Sequence, residues 1–330
     1  VRKSLKLSAA AVVLTLALAG CGGGKDLDSV DFKDQGAGKA PSVSFDTPLS
    51  VNDDETRILK DGDGDEVHEG DTVLVDAAVF NGADQKSEGD TYSGSPITIT
   101  VNDQLKEKLP KVYDILKDTK VGTSFAYAKK PSDEASGGAS GSSEDASAVE
   151  VYTVSKKLPK SAEGDAVPPQ EGLPNVTMKD SGPEIKIPEG QDEPKSITAQ
   201  NLINGKGDEI KDDQKVYVHY SGVKWSDGQQ FDSNWTKDPT GFQMDQVIKG
   251  WSEGLKGKKV GDRVLLEVPT DKAYGTQEQL GSDSQQPAGP LVFVVDILGT
   301  SKADPPQSSQ GGTGAQQQGG TGAQQGNPQQ

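Results

Sequence analysis

The sequence predicts an α+β fold in which one pattern, strand, loop, short helix and strand, is used twice. Two landmarks recur in order: Gly70-Asp71-Thr72-Val73-Leu74-Val75-Asp76 aligns with Asp213-Gln214-Lys215-Val216-Tyr217-Val218-His219, and Lys120-Val121-Gly122-Thr123-Ser124-Phe125 aligns with Lys259-Val260-Gly261-Asp262-Arg263-Val264. Residues 73–79 and 216–223 have the β-branched, alternating character of half-buried strands. Residues 105–116 and 247–255 carry apolar side chains at a spacing that supports only one or two helical turns.

The N-terminus is expected to be a targeting signal. Arg2, Lys3 and Lys6 precede an apolar run from 7 to 19, and Leu18-Ala19-Gly20-Cys21 closes it. That run is about 13 residues, short of the roughly 20 that span a bilayer. Cys21 is the sole cysteine, so no disulfide can form within one molecule. Its flanks resemble the lipobox of bacterial lipoproteins, which implies cleavage before Cys21 and a lipid thioether on its sulfur. Lipid chains contribute about 0.8 kcal/mol per buried methylene, enough for stable anchoring when several are present. Residues 1–20 thus read as a lipoprotein signal peptide and 21–40 as a tether, which puts the chain on the outer face of a cytoplasmic membrane.

Between the ends, residues 41–160 form the first predicted domain, 161–195 a linker rich in Pro, Glu, Lys and Gly, and 196–300 the second domain. From 301 to 330 the chain is Gln, Gly, Thr, Ser, Ala and Pro, a composition that builds no core. The net charge of −17 argues against nucleic acid as a partner and favours solubility and repulsion from anionic lipid. No coiled-coil pattern stands out, so a monomer is expected.

The two copies differ in where their aromatics lie. All three tryptophans fall in the second copy, which marks it as the one with a shaped apolar pocket. The first copy carries a polar insert, residues 132–141, and no tryptophan.

Six blocks follow in order in the second copy: Val216-Tyr217-Val218-His219-Tyr220-Ser221-Gly222, Asp227-Gly228-Gln229-Gln230-Phe231-Asp232-Ser233, Gln246-Val247-Ile248-Lys249-Gly250-Trp251, Val260-Gly261-Asp262, Ala273-Tyr274-Gly275 and Leu291-Val292-Phe293. In this order they resemble the FKBP family, immunophilin peptidyl-prolyl cis-trans isomerases that bind macrolides. The resemblance implies two FKBP-like domains, each a twisted antiparallel β-sheet wrapped around a short α-helix, the first degenerate. It implies a substrate box of Tyr220, Phe231, Val247, Ile248, Trp251, Tyr274 and Phe293, with Trp251 beneath the proline ring and Phe242 the one aromatic of a shortened segment. It places Asp232 at the rim beside Tyr220, near the twisting carbonyl. The Tyr274 hydroxyl and the Ile248 N–H would hold substrate carbonyls. No cofactor or metal is needed, because isomerisation transfers no proton. The polar segment 276–284 stands where the family has an apolar flap, and Leu280 is the expected apolar substitute there.

In the first copy Ala77 stands at the position of Tyr220 and Val112 at that of Trp251, so that copy is expected to lack isomerase activity. Asp61-Gly62-Asp63-Gly64-Asp65-Glu66 resembles a calcium loop but has Glu66 at the required glycine, and Gly205-Lys206-Gly207 lacks the third glycine of a nucleotide fingerprint; both read as turns. His68 and His219 suggest neither a metal site nor a triad. The expected function is a membrane-tethered isomerase for proline-containing exported polypeptides. A weakly catalytic, protein-binding scaffold is the competing expectation.

Overall fold

The computed structural model describes residues 26–36, 38–131 and 146–304. The expected signal peptide, Cys21, the polar insert and the Gln-rich C-terminal segment lie outside them. Among the described residues no helix is long and apolar enough to cross a membrane.

The first unit contains β1 (Asp31–Lys33), β2 (Ser42–Ser44), β3 (Glu55–Lys60), β4 (Thr72–Phe80), β5 (Ser87–Asp90), β6 (Ile97–Thr100), helices α1 (Asp103–Lys108) and α2 (Pro110–Leu116), β7 (Ser124–Ala128) and β8 (Val149–Leu158). The second contains β9 (Gly164–Ala166), β10 (Asn175–Lys179), β11 (Gly182–Lys186), β12 (Thr198–Gly205), β13 (Gln214–Lys224), β14 (Gln230–Ser233), β15 (Thr240–Gln243), α3 (Lys249–Gly254), β16 (Arg263–Val268), α4 (Gln277–Leu280) and β17 (Leu291–Lys302).

The duplication is reproduced over six strands of each sheet. The first sheet runs β3-β7-β8-β4-β5 with β6 beside β4, and the second β12-β16-β17-β13-β14 with β15 beside β13, all pairs antiparallel. Even the irregularities coincide. Register shifts at Leu74/Val75, Val79/Phe80 and Ile58/Lys60 recur at Tyr217/Val218, Gly222/Val223 and Asn201/Ile203. A bulge re-aims the side chains that follow it, so the repeats share the same twist.

The calcium-like and nucleotide-like glycines occupy one turn, used twice. A Cβ on Gly62 would lie 2.4 Å from the Val121 carbonyl oxygen, and a Cβ on Gly205 2.4 Å from that of Val260. Gly64 and Gly207 each donate to that same carbonyl at 3.0 Å. These glycines are required by close backbone approach.

Two expected boundaries are corrected. The tether expected over 21–40 ends earlier, because packing begins at Leu27 and Val30, both buried under the first sheet with Phe45, Leu49 and Val51. Arg57 fixes this segment by donating to the carbonyls of Leu27, Asp28 and Val30 at 2.9, 3.2 and 3.0 Å. The stretch 161–195, expected to be a linker, instead supplies β9 to the edge of the second sheet and a separate two-stranded hairpin, β10–β11, that covers one of its faces. Leu173, Val176, Ile185 and Ile187 from it pack on Val223, Trp225, Leu265, Val292 and Val294. Each sheet therefore has a hairpin on one face and a short helix on the other.

The units meet along Leu74, Leu158, Tyr217 and Leu298, all buried. Ser95 Oγ donates to the Lys302 carbonyl at 2.9 Å. A wholly buried carboxylate, Asp296, receives both Arg263 Nε (2.6 Å) and Nη2 (2.7 Å) and also the Ala162 N–H (2.8 Å) from the connecting segment.

Candidate active site

The helix side of the second sheet forms the site. Strand alternation sends Val216, Val218 and Tyr220 of β13 towards α3, while Tyr217 and His219 face the other way. The helix sits unusually close to the sheet because its small residues allow it: a Cβ on Gly250 would lie 2.3 Å from Val268 Cγ1, and one on Gly254 2.3 Å from Leu266 Cδ1. Two glycines in a six-residue helix weaken it by about 1 kcal/mol each relative to alanine. Their effect is to sink Trp251, on the first turn, until it is only 5% exposed.

Around Trp251 the other rings stand edge-on. Tyr220, Phe242 and Phe293 have centroids 5.4 Å from the Trp251 ring at interplanar angles of 87°, 73° and 88°. Phe231 meets Phe293 at 5.7 Å and 87°. These are the favoured T-shaped contacts, each contributing about 0.5–1.5 kcal/mol beyond area burial. A cavity of about 820 Å³ opens above them. It is lined by all nine residues expected in the pocket and its rim: Tyr220, Phe231, Asp232, Phe242, Val247, Ile248, Trp251, Tyr274 and Phe293.

The polar groups are at the lip. Tyr220 donates its hydroxyl to Asp232, which also accepts from the Ser233 N–H at 2.8 Å. Burial, then the bond to Asp232, raises the Tyr220 phenol above its ordinary value. Burial, then the Asp232 charge, raises Tyr274. Both phenols therefore remain donors at neutral pH. Among the described residues neither the Tyr274 hydroxyl nor the Ile248 N–H makes a hydrogen bond, so two residues of the cavity lining carry donors without a partner.

Sequence reading missed several lining residues. Ser233, Asn234, Lys237, Thr240, Gln246 and Gln285 also line the cavity, and polar residues in loops and at the ends of short strands carry no periodic signal. Gln285, not Leu280, reaches the cavity from the flap. Leu280 instead closes α4, a single turn started by a capping box between Thr276 and Gln279. The tryptophans are divided as well: Trp225 and Trp235 lie on the opposite face, beneath β10–β11.

The first unit has no such box. Its register puts Ala77 at the place of Tyr220, Gly89 at that of Asp232 and Glu150 at that of Phe293. Val112, a buried core residue of α2, takes the place of Trp251. The interior is filled by Tyr152, stacked on Phe125 at 5.2 Å, with its hydroxyl bonded to Glu150.

Residues 207–298 match the family model described as FKBP-type peptidyl-prolyl cis-trans isomerase. The chain is 37% identical over 117 residues to a probable FK506-binding protein of Corynebacterium glutamicum, covering 96% of that protein and 35% of itself. It belongs to the FKBP-type peptidyl-prolyl cis-trans isomerase family. A second FKBP relative, an FK506-binding protein of Streptomyces anulatus, is 37% identical over 119 residues, which make up 94% of it and 35% of this chain. The FKBP-type isomerase FkpA of Escherichia coli K12 is 40% identical over 108 residues, 38% of its length and 32% of this chain. The family match lies inside the second unit. The FKBP-like character of the first rests on its shared strand order and bulges.

Proposed function

We propose that the second unit catalyses cis–trans isomerisation of Xaa-Pro bonds in exported or surface polypeptides. The observation that carries this reading is the aromatic box over Trp251 with two unpaired donors, the Tyr274 O–H and the Ile248 N–H, at its lip. Twisting a prolyl amide loses resonance, which sets a barrier of about 18–20 kcal/mol. Catalysis needs only a site that holds the twisted form better than the planar one. Trp251 supports the proline ring, the two donors hold the substrate carbonyls, and the Tyr220–Asp232 pair lies where the twisting carbonyl turns. Each tenfold in rate takes about 1.36 kcal/mol of differential binding.

In a protease-coupled or NMR-exchange assay on a short Xaa-Pro peptide, the full chain is expected to accelerate exchange in proportion to its concentration, and a macrolide such as rapamycin to compete. A rate equal to the uncatalysed one would leave the scaffold reading, which the polar Lys237 and Gln285 at the lip favour.

The reading extends to location through Cys21 in its Leu18-Ala19-Gly20-Cys21 setting. A strongly acidic chain is repelled by anionic lipid, so attachment at the outer face of the cytoplasmic membrane takes a covalent lipid. With its leader retained, Cys21→Ser is expected to move the protein from the membrane fraction to the soluble one. Equal membrane recovery of both forms rejects lipidation at this residue.

A further inference from the structure

We infer that the hairpin β10–β11 is a positioning element of the isomerase cleft, acting through Trp235 and Asn234 on Tyr220 and Asp232. The inference rests on the isomerase reading of that cleft. It begins with a gap in the sheet. One edge of β13 pairs with β15 from Lys215 to Val218 and with β14 from Ser221 to Val223. Between these two partners, beside the box residue Tyr220, the edge has no strand.

Asn234 fills the gap with its side chain. Its Oδ1 accepts from the Tyr220 N–H at 2.7 Å, its Nδ2 donates to the Val218 carbonyl at 3.0 Å and to Thr240 Oγ1 at 2.9 Å, and its own N–H donates to the Tyr220 carbonyl at 3.1 Å. One amide thus joins β13 to the start of β15 beside Tyr220. At 6% exposure it is shielded from competing water. Ser233 adds a second tie, donating its hydroxyl to the Tyr220 carbonyl at 3.0 Å.

The neighbour of Asn234 is clamped from behind. The Trp235 N–H donates to Ser233 Oγ at 3.2 Å, and its ring lies 6.0 Å from that of His219 and 5.6 Å from the Arg263 guanidinium. Onto this ring comes the hairpin turn. Gly182, at φ +114°, is so close that a Cβ would lie 2.8 Å from Trp235 Cγ and 2.9 Å from its Cβ. The path is short: Gly182, Trp235, Ser233 and Asn234, then Tyr220 with its hydroxyl on Asp232. A shift of about 1 Å in such a group can cost about a hundredfold in rate.

The test compares Gly182→Val, Trp235→Leu and Trp235→Phe with the unaltered chain, each scaled to its folded fraction by near-ultraviolet circular dichroism. A merely structural hairpin lowers the folded fraction and leaves turnover per folded molecule unchanged. Positioning predicts that kcat per folded molecule falls about tenfold in Gly182→Val and Trp235→Leu with KM within about twofold, and that Trp235→Phe restores most of it. Amide hydrogen exchange provides a readout independent of turnover. The Tyr220 N–H is expected to lose protection by about tenfold or more in the first two variants, while the Leu266 N–H, in the sheet centre with its side chain on the helix face, keeps its own.

Unchanged kcat together with unchanged Tyr220 protection overturns the inference. If the unaltered chain does not isomerise but Tyr220 protection falls in the variants, the hairpin still holds the cleft and only the isomerase reading fails.

Discussion

Replacing Trp251 by alanine is expected to lower kcat/KM for Xaa-Pro isomerisation by about a hundredfold. The same ring touches Tyr220, Phe242 and Phe293, so its removal takes away the floor and loosens three walls together. A hundredfold corresponds to about 2.7 kcal/mol of transition-state stabilisation. Truncating a buried Trp costs about 3–5 kcal/mol of stability, so activity must be scaled to the folded fraction. Asp232→Val provides the contrast: the carboxylate is exposed at the lip, so stability should change little while kcat/KM falls about tenfold. If the folded Trp251→Ala chain turns over as fast as the unaltered one, the aromatic box is not the catalytic feature.

Asp296→Ala is expected to destabilise the second unit by about 3–5 kcal/mol, because it leaves the largely buried Arg263 without its counter-charge. It also strips the Ala162 N–H of its acceptor, a cost of about 1–3 kcal/mol for a buried group left unsatisfied. The double variant Arg263→Met with Asp296→Leu should recover most of the loss, since apolar residues of similar volume often replace a buried pair without penalty. Urea unfolding followed by tryptophan fluorescence gives the answer, because Trp225, Trp235 and Trp251 all report on this unit. A loss below about 1 kcal/mol for Asp296→Ala would place the pair among solvent-screened ion pairs.

The cleft was more legible than its supports. The box residues sit in blocks whose order is itself a signal, and the strands that carry them alternate cleanly. The hairpin β10–β11 was hidden by composition: Pro, Glu, Lys and Gly around it suggest a connector, although Val176 with Met178 and Ile185 with Ile187 alternate around the turn at Gly182. Leu27 and Val30 were missed likewise, as two apolar residues among charged ones give no period. Asp296 interrupts the apolar run of β17 without announcing a partner, and Arg263 lies 33 positions away in sequence. The role of Asn234 depends on an interrupted strand edge, which arises only once β14 and β15 have paired with β13.

The strand order constrains the sequence of events as the chain emerges N-terminus first. In each sheet the strand made last, β8 or β17, lies in the interior between strands made earlier. Until it arrives nothing joins β4 to β7 or β13 to β16, and each sheet stays in two halves, β3–β7 or β12–β16 on one side and β4 or β13 with its local hairpins on the other. Such long-range closure is slow compared with local pairing. Phe293 is on β17, so the box also lacks a wall until then. A nascent unit therefore stays open until its last strand, ten residues in the first unit and twelve in the second, is released.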